Sequence, residues 1–199
     1  MASLFSLLTA LGRSSISAPF VDPTGDSVGA PDIATVVVSS NAAGTITFLI
    51  NVANQPDLAS DSSMRINLDT DRTPNTGERV GRLGSDYRIL LVASPRIFTL
   101  DHWNGSEYEF SPQATLVAFY SSGRALISVD RSELGGMTAF DFVVLGIQAA
   151  STDTINTDSA PDTGFWTYRV VSTAPKLAAI TFAFVPQMPK AGKIGRAHV

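Results

Sequence analysis

Residues Met64 to Leu91 read MRINLDTDRTPNTGERVGRLGSDYRILL, and this segment, which we name the acidic hairpin, has the pattern of two paired strands. Apolar Met64, Ile66 and Leu68 alternate with polar residues, a period of two that gives a β-strand one apolar and one solvated face. Residues 86–91 have the apolar content of a returning strand. The segment therefore predicts two antiparallel strands joined by a loop.

The loop inside the acidic hairpin cannot continue either strand. Pro74 lacks a backbone donor, and Gly77 adopts backbone conformations that other residues resist. We expect an ordered loop in which Asp69 and Asp71 leave the first strand close to the point where Asp86 opens the second. Like charges that converge at one sheet edge repel one another unless a cation or backbone N–H groups compensate.

This convergence predicts a calcium site. Calcium takes about six to eight oxygen ligands from carboxylates, amide carbonyls, backbone and water. The loop offers such oxygens on Asp69, Asp71, Asn75 and Asp86. It is not an EF-hand, because it lacks the central Gly and the terminal Glu of that motif. In the alternative interpretation, Asp71 and Asn75 cap turns through their own backbone, and arginines of the same segment neutralise the remaining charge.

The composition indicates one globular domain. The chain has 199 residues, 44% of them hydrophobic, which is enough for a buried core. The 18 acidic and 14 basic residues give a net charge of -4 without a basic stripe, so neither nucleic acid nor a membrane is an expected partner. The absence of Cys excludes disulfides, thiolate metal sites and a cysteine nucleophile. A charged content of 16% is typical of secreted bacterial β-proteins.

The rest of the chain has the pattern of short strands separated by turns. Asn104-Gly105 strongly favours a hairpin, since both central residues of that turn need positive φ. A second hairpin is predicted around Ser122-Gly123, one capped helical turn over Asp130 to Gly135, and an acidic loop over Asp153 to Asp162. The remaining strands are predicted over residues 33–38, 45–52, 96–103, 107–110, 114–121, 124–130, 140–147, 165–171 and 177–185.

About ten short strands without a sustained helical period predict an all-β fold, a two-layer antiparallel β-sandwich of jelly-roll or Ig-like type. We expect this domain to occupy residues 19–185. Residues 1–18 are interpreted as a degraded export signal or leader, with a short N-terminal helix as the alternative. Residues 186–199 are interpreted as a linker that ends in a truncation or vector scar, after which the natural protein would continue into further domains.

Two further sets of side chains are candidates for binding. Asp22 with Asp26, and Asp158 with Asp162, lie in Gly- and Pro-rich loops that meet if the terminal strands pair, which would form a second cation site. The alternative is that they are solvated turn formers. Flat aromatic faces suit sugar rings, and a stacking surface is predicted from Trp103, Tyr108 and Trp166. Packing in the core is the alternative for each ring.

Several motifs together resemble a known kind of domain. They are Asp22-Pro-Thr-Gly-Asp26, Ala30-Pro-Asp-Ile33, Leu68-Asp-Thr-Asp-Arg72, Gly84-Ser-Asp-Tyr87, Trp103-Asn-Gly105, Asp130-Arg-Ser-Glu-Leu-Gly135 and Ala160-Pro-Asp-Thr-Gly-Phe-Trp-Thr-Tyr168. As an ordered set over Asp22 to Val171, they resemble a domain of secreted actinobacterial proteins that is similar in layout to family 9 carbohydrate-binding modules and DOMON-like sandwiches. The resemblance implies a jelly-roll-like accessory module of a larger secreted protein, which is not itself an enzyme.

Catalytic motifs are not evident. His102 lies outside any HExxH pattern, and there is no GxSxG elbow or Gly-rich phosphate loop. A glycoside hydrolase needs two placed carboxylates, and the sequence singles out no such pair. We therefore expect a non-catalytic, extracellular bacterial module that binds a carbohydrate or a cell surface, with calcium as its stabilising ion. A structural spacer without a ligand is the alternative, and a glycoside hydrolase is the third interpretation.

Overall fold

The computed structural model describes residues 14–170, and almost all of its regular structure is β. The predicted strand 177–185, the linker 186–199 and residues 1–13 of the predicted leader lie outside the described residues. Residues 14–16, which also fall within the predicted leader, form the first strand. Over residues 14–170, no helix has the length and apolar content that crossing a bilayer requires.

The strands and the one helical turn have the following bounds: β1 (Ser14–Ile16), β2 (Phe20–Val21), β3 (Ile33–Asn41), β4 (Thr45–Val52), β5 (Ser62–Asp69), β6 (Glu78–Val80), β7 (Leu83–Ser85), β8 (Tyr87–Val92), β9 (Ile97–Trp103), β10 (Tyr108–Phe110), β11 (Val117–Ser121), β12 (Arg124–Asp130), the 3-10 turn Arg131–Leu134, β13 (Ala139–Ala149), β14 (Ile155–Ala160) and β15 (Trp166–Arg169).

Two large antiparallel sheets pack together, which confirms the predicted β-sandwich, with 15 described strands rather than about ten. The six-stranded sheet has the order β1-β3-β4-β12-β11, and β2 also pairs with β3. The seven-stranded sheet has the order β10-β9-β8-β5-β13-β14, and β15 also pairs with β13. The strands β6 and β7 form a separate hairpin. Because β5 pairs with β8, the acidic hairpin lies in the middle of the seven-stranded sheet.

The core between the sheets is built by strand alternation. In β4, the side chains at even positions from Ile46 to Val52 are buried and those at odd positions are half-buried. Phe48 of this strand packs against Phe140 and Phe142 of β13, with ring centroids 5.9 and 5.8 Å apart. Full burial of one such side chain stabilises the fold by about 1.5–3 kcal/mol. The two sheets are therefore held together mainly by apolar contact.

Five of the described strands were not predicted: β1, β2, β6, β7 and β14. The hairpin of β6 and β7 lies inside the predicted loop of the acidic hairpin. The loop prediction for Asp153 to Asp162 is wrong, because most of it forms β14. Its sequence, INTDSA, is polar, yet Asp158 and Ala160 point inward and are buried. Because Asp158 stands at an inward position where an apolar residue is usual, the sequence lacks the alternating pattern that identifies a strand.

The predicted helical turn is confirmed. The Asp130 side chain accepts the N–H of Ser132, and Gly135 ends the turn in the left-handed region at φ 75°. This is the arrangement expected for an N-terminal cap and a C-terminal glycine.

Candidate functional site

The structure brings together three of the four predicted calcium ligands. Asp69 ends β5, Asp71 lies two residues beyond it, and Asp86 immediately precedes β8. The register, in which Leu68 faces Tyr87, places the ends of the two strands side by side. As a result, one carboxylate oxygen from each of the three aspartates lies within 4.8 Å of the others.

Backbone and hydroxyl donors of the loop bind these carboxylates. Asp86 Oδ2 accepts the N–H of Thr70 at 2.8 Å, its hydroxyl at 3.0 Å and the N–H of Asp71 at 3.3 Å. The N–H of Thr73 donates to Asp69 Oδ1 at 3.0 Å and to Asp71 Oδ1 at 2.8 Å. The predicted compensation by N–H groups is therefore present on at least one oxygen of each carboxylate.

The loop that carries these donors is tightly packed. A Cβ atom on Gly84 would lie 2.1 Å from the carbonyl oxygen of Thr76, and one on Gly77 would lie 2.4 Å from the carbonyl carbon of Ser85. Gly77 also has a φ of 72°, in the left-handed region. Residues 73–77 therefore lie directly on the backbone of β7, and only glycine fits at the contact.

The site retains excess negative charge. Burial raises the pKa of the Asp69 carboxyl to about 6, the N–H of Thr73 opposes this rise, and neighbouring Asp71 and Asp86 add to it. Within residues 14–170, the two ion pairs join Arg72 to Asp141 and Arg88 to Asp101, so neither includes the three aspartates. Two of the arginines expected to neutralise the three aspartates therefore pair with Asp141 and Asp101 instead.

Asp141 is a further neighbour of this site, and the sequence pattern does not predict its position. It faces Asp69 across the pairing of β13 with β5, and it is only 5% exposed. The Arg72 Nε lies 3.3 Å from both of its oxygens, and the Thr167 hydroxyl donates to it. Only the pairing of β13 with β5, which joins residues 72 positions apart, brings this carboxylate beside Asp69.

Asn75, the fourth predicted ligand, is exposed on the same loop. It lines an open pocket together with Pro74, Arg79, Arg82 and Phe165. The structure does not bring its amide oxygen into the group of three carboxylates by any hydrogen bond. Its predicted role as a calcium ligand stays a prediction.

Trp103 and Tyr108 are neighbours at the edge of the seven-stranded sheet. They face each other across β9 and β10, with ring centroids 5.3 Å apart and planes at 70°. The Tyr108 hydroxyl donates to Ser85 Oγ at 2.7 Å, and the Arg88 guanidinium lies 4.2 Å from its ring centroid. Burial raises the pKa of Tyr108 to about 12. Tyr108 is therefore fixed from both sides, and it supports the half-buried Trp103.

This aromatic pair is joined to the acidic hairpin through the backbone. The N–H of Trp103 donates to the carbonyl oxygen of Asp86 at 2.7 Å. The Ser85 that receives the Tyr108 hydroxyl is the residue before Asp86. The carboxylate group and the aromatic pair therefore share residues 85–86.

Trp166 lies elsewhere, on β15. Its ring stacks on Phe20 with centroids 5.3 Å apart and planes at 27°, and it packs against Phe142 of the core at 5.7 Å. The structure thus does not join Trp166 to the other two predicted aromatic residues. Its contacts are those of a ring that covers the end of the core.

An open pocket on the seven-stranded sheet has a volume of about 610 Å³. Among the described residues that line it, Asp162 is the one carboxylate, and Val80, Arg82 and Val143 also line it. A glycoside hydrolase needs a pair of carboxylates on the two sides of the scissile bond. This pocket does not supply that pair.

Comparisons with protein families, with curated proteins and with solved structures find no match to this chain. The resemblance to family 9 carbohydrate-binding modules and DOMON-like sandwiches therefore stays a prediction.

Proposed function

We propose that this domain is a non-catalytic binding module of an exported protein, which holds a calcium ion at the acidic hairpin and binds carbohydrate beside Trp103. The observation that carries the proposal is the convergence of the Asp69, Asp71 and Asp86 carboxylates at the rim of the sheet. Oxygen is the ligand that calcium prefers, and several carboxylates on one loop are a usual source of it. No imidazole or thiolate belongs to the group, which disfavours zinc.

The remaining ligand capacity of the site supports an ion. Hydrogen bonds bind Oδ1 of Asp69 and Oδ2 of Asp86, which leaves the second oxygen of each carboxylate for a cation. The ion would offset the burial and the neighbouring Asp71 and Asp86 carboxyls, which together raise the pKa of Asp69. It would also hold the peptide of Asp86, to which the N–H of Trp103 is bonded. Calcium would in this way order the carbohydrate-binding surface.

The carbohydrate surface is Trp103 with the polar turn that follows it. The Trp103 ring is half-buried, and Asn104, Gly105 and Ser106 beside it are exposed. An aromatic face with adjacent amide and hydroxyl groups suits a pyranose, which stacks on the ring and bonds through its hydroxyls. Trp166 is not included, because its ring packs against Phe20 and Phe142.

Thermal unfolding tests the calcium site. With 5 mM calcium, we expect the Tm to exceed that in a chelator by about 5–10 °C, because a ligand at 100 times its Kd stabilises by about 2.7 kcal/mol. The variant Asp71→Asn/Asp86→Asn should lose most of this difference. Asp57→Asn, an exposed aspartate outside the group, is the matched control. Identical Tm values for the wild-type chain in calcium and chelator would disprove the site.

Affinity electrophoresis through soluble polysaccharides tests the carbohydrate surface. Trp103→Ala should abolish retardation by the polysaccharide that retards the wild-type chain, and chelator should weaken it. Phe119→Ala removes a ring that is 56% exposed on the six-stranded sheet, and it should change nothing. If the polysaccharide retards Trp103→Ala like the wild-type chain, the proposed surface is wrong.

A structural spacer without a ligand is the second candidate. The hydrogen bonds from Thr70, Asp71 and Thr73 to the carboxylates favour it, since they stabilise the loop without an ion. For a spacer, calcium would not change the Tm, and no polysaccharide would retard the chain.

A further inference from the structure

A second group of carboxylates lies at one end of the sandwich. We name it the Asp22 cluster, and its members are Asp22, Asp26, Asp32, Asp158 and Asp162. Asp22 follows β2 and Asp32 precedes β3, both strands of the six-stranded sheet, whereas Asp158 lies in β14 of the seven-stranded sheet. The cluster therefore joins the two layers of the sandwich.

Hydrogen bonds over long sequence separations assemble the cluster. Asp158 Oδ2 accepts the N–H of Ile33 at 2.7 Å, and Asp22 Oδ1 accepts the N–H of Asp162 at 3.2 Å. The N–H of Gly25 donates to Asp32 Oδ2 at 2.9 Å. These bonds turn Asp22 toward residue 162 and Asp158 toward the start of β3. Asp158, Asp162 and Asp26 are charged neighbours of Asp22, and Asp26, Asp32 and Asp162 are charged neighbours of Asp158.

Two carboxylate oxygens in this region are buried without a hydrogen-bond partner. They are Oδ2 of Asp22 and Oδ1 of Asp32, whose residues are 4% and 5% exposed. A buried polar atom is normally paired, because removal from water without a partner costs free energy. The acidic hairpin has no such atom on Asp69, Asp71 or Asp86. The unpaired oxygens of the Asp22 cluster therefore point to a missing positively charged partner.

The side chains of residues 14–170 do not supply that partner. Neither ion pair of residues 14–170 involves the cluster. Burial raises the pKa of Asp22 to about 7, with Asp162, Asp158 and Asp26 adding to the rise. Burial is also the main reason why the pKa of Asp158 is raised, and the N–H of Ile33 opposes that rise. The charge of several aspartates is thus balanced by a few N–H groups alone.

We propose that the Asp22 cluster binds a hard divalent cation of the calcium type, which fastens the loop 22–32 to β14 and so joins the two sheets. The donor set consists of carboxylates, and calcium accepts such oxygens in flexible geometries and high number. Asp22 Oδ2 and Asp32 Oδ1 are the unpaired buried oxygens that would bind the ion, and buried Asp158 and exposed Asp26 and Asp162 add negative charge around them. This site is independent of the ion proposed at the acidic hairpin.

Equilibrium dialysis of the full chain against radioactive calcium, after removal of metal by chelation, tests the proposal. The wild-type chain should bind two ions. Asp22→Asn/Asp32→Asn should bind one fewer, and Asp71→Asn/Asp86→Asn, which leaves the Asp22 cluster intact, should lose only the other. An unchanged ion count in Asp22→Asn/Asp32→Asn would overturn the proposal. If the wild-type chain binds a single ion, the double variant that loses this ion identifies the true site. The other proposed site is then wrong.

Thermal unfolding in chelator separates metal binding from a merely structural role. Asn has the shape of Asp without its charge, so Asp22→Asn/Asp32→Asn should melt at or above the wild-type Tm in chelator, and below it in calcium. A variant that melts lower than wild type by the same amount in both conditions would contradict the proposal. If that variant does not fold, the exposed Asp162→Asn decides the question: its calcium Kd should rise about tenfold, and an unchanged Kd would overturn the proposal.

Discussion

The acidic hairpin and the Asp22 cluster both gather aspartates, but they differ in how the charge is balanced. In the acidic hairpin, three carboxylates approach one another within 4.8 Å, and donors of the intervening loop bind each of them. No three carboxylates of the Asp22 cluster, all of them in the described part of the chain, come so close. Two buried oxygens of this cluster nevertheless lack a hydrogen-bond partner. Carboxylates that lie close together therefore need not contain unpaired buried oxygens, and carboxylates that lie farther apart can contain them.

The difference follows from how each group is assembled. The donors of the acidic hairpin lie at most 16 residues from their acceptors, so one loop supplies both acids and N–H groups. Two of the three bonds that assemble the Asp22 cluster span 125 and 140 residues. The second group therefore forms only when the two sheets close on each other. A cation there would stabilise the packed sandwich more than any one of its loops.

The largest effect is expected from two glycines that each hold one of the loops. A Cβ on Gly146 would lie 2.0 Å from the Pro31 carbonyl oxygen, beside Asp32, and one on Gly84 would lie 2.1 Å from the Thr76 carbonyl oxygen. Gly146→Ala and Gly84→Ala should each lower the free energy of unfolding by about 2–4 kcal/mol in urea titrations. Each should also remove only the calcium ion of its own group in equilibrium dialysis.

Gly136→Ala is the control for this comparison. Its Cβ would have open space, but its φ of 71° disfavours Ala, so a loss of only about 1 kcal/mol is expected. Equal losses in all three variants would show that the two close contacts do not hold the loops.

The next largest effect is expected from pH in the absence of metal. The folded chain takes up protons on Asp22 and Asp69 as the pH falls through about 7 and about 6, whereas an unfolded Asp titrates near 3.8. Protonation therefore favours the folded state, and stability is lost as the pH rises through these pKa values. In chelator, the Tm at pH 5.0 should exceed that at pH 7.5 by about 4–8 °C.

Calcium should reverse or flatten this trend, because it competes with the protons for the same carboxylates. Asp22→Asn should remove the larger part of the pH effect in chelator, and Asp69→Asn the smaller part, since the pKa of Asp22 is the more strongly raised. A Tm that falls from pH 7.5 to pH 5.0 in chelator would contradict the assignment of raised pKa values to these aspartates.

A smaller effect is expected from Arg72, whose guanidinium group pairs with the Asp141 carboxylate. Arg72→Ala leaves the buried Asp141 carboxylate with the Thr167 hydroxyl as its remaining hydrogen-bond donor among residues 14–170. We expect a loss of about 1–2 kcal/mol in the free energy of unfolding. Arg72→Ala/Asp141→Asn should recover most of it, because the unpaired charge is gone. If the double variant is no more stable than Arg72→Ala, the arginine acts through packing rather than charge.

The smallest effect is expected from one donor of the acidic hairpin. The Thr76 hydroxyl lies 2.9 Å from Asp71 Oδ2 at an exposed position. Thr76→Val should lower the free energy of unfolding by about 0.5–1 kcal/mol in chelator, and Thr24→Val, at an exposed position of the other loop, should not change it. A loss above about 2 kcal/mol would show that this loop depends on single donors far more than its exposure indicates.

Local patterns predicted much of the fold. The hairpins around Asn104-Gly105 and Ser122-Gly123 and the capped turn after Asp130 depend on residues close in sequence, and the structure confirms them. The turn expected at Asn104-Gly105 is wrong in detail, because the loop covers residues 104–107 and Gly105 has a positive φ while Asn104 does not. The convergence of Asp69, Asp71 and Asp86 also followed from one strand pairing. The strand β14 was missed because its inward Asp158 replaces an apolar residue, and that side chain is explained only by contact with Ile33, 125 residues away.

The candidate sites show the same division. Asp32 was not assigned to a site, since Ala30-Pro31-Asp32 has the composition of a simple turn and nothing local indicates its approach to Asp158. Asp141 was not placed beside Asp69, because their contact requires the register of β13 with β5. The sequence left both a surface position and a core position open for Trp166, because its partner Phe20 lies 146 positions earlier in the chain. The surroundings of these three residues depend on contacts with residues far away in the sequence, which local patterns do not predict.

The hydrogen bond from the Trp103 N–H to the Asp86 carbonyl gives the two proposed ligands one shared peptide. If calcium increases the affinity for a glycan through that peptide, thermodynamic reciprocity requires the glycan to increase the affinity for calcium by the same factor. A polysaccharide-bound module would then retain its ion at calcium concentrations that strip the free module. Attachment to a surface would itself protect the protein from chelation.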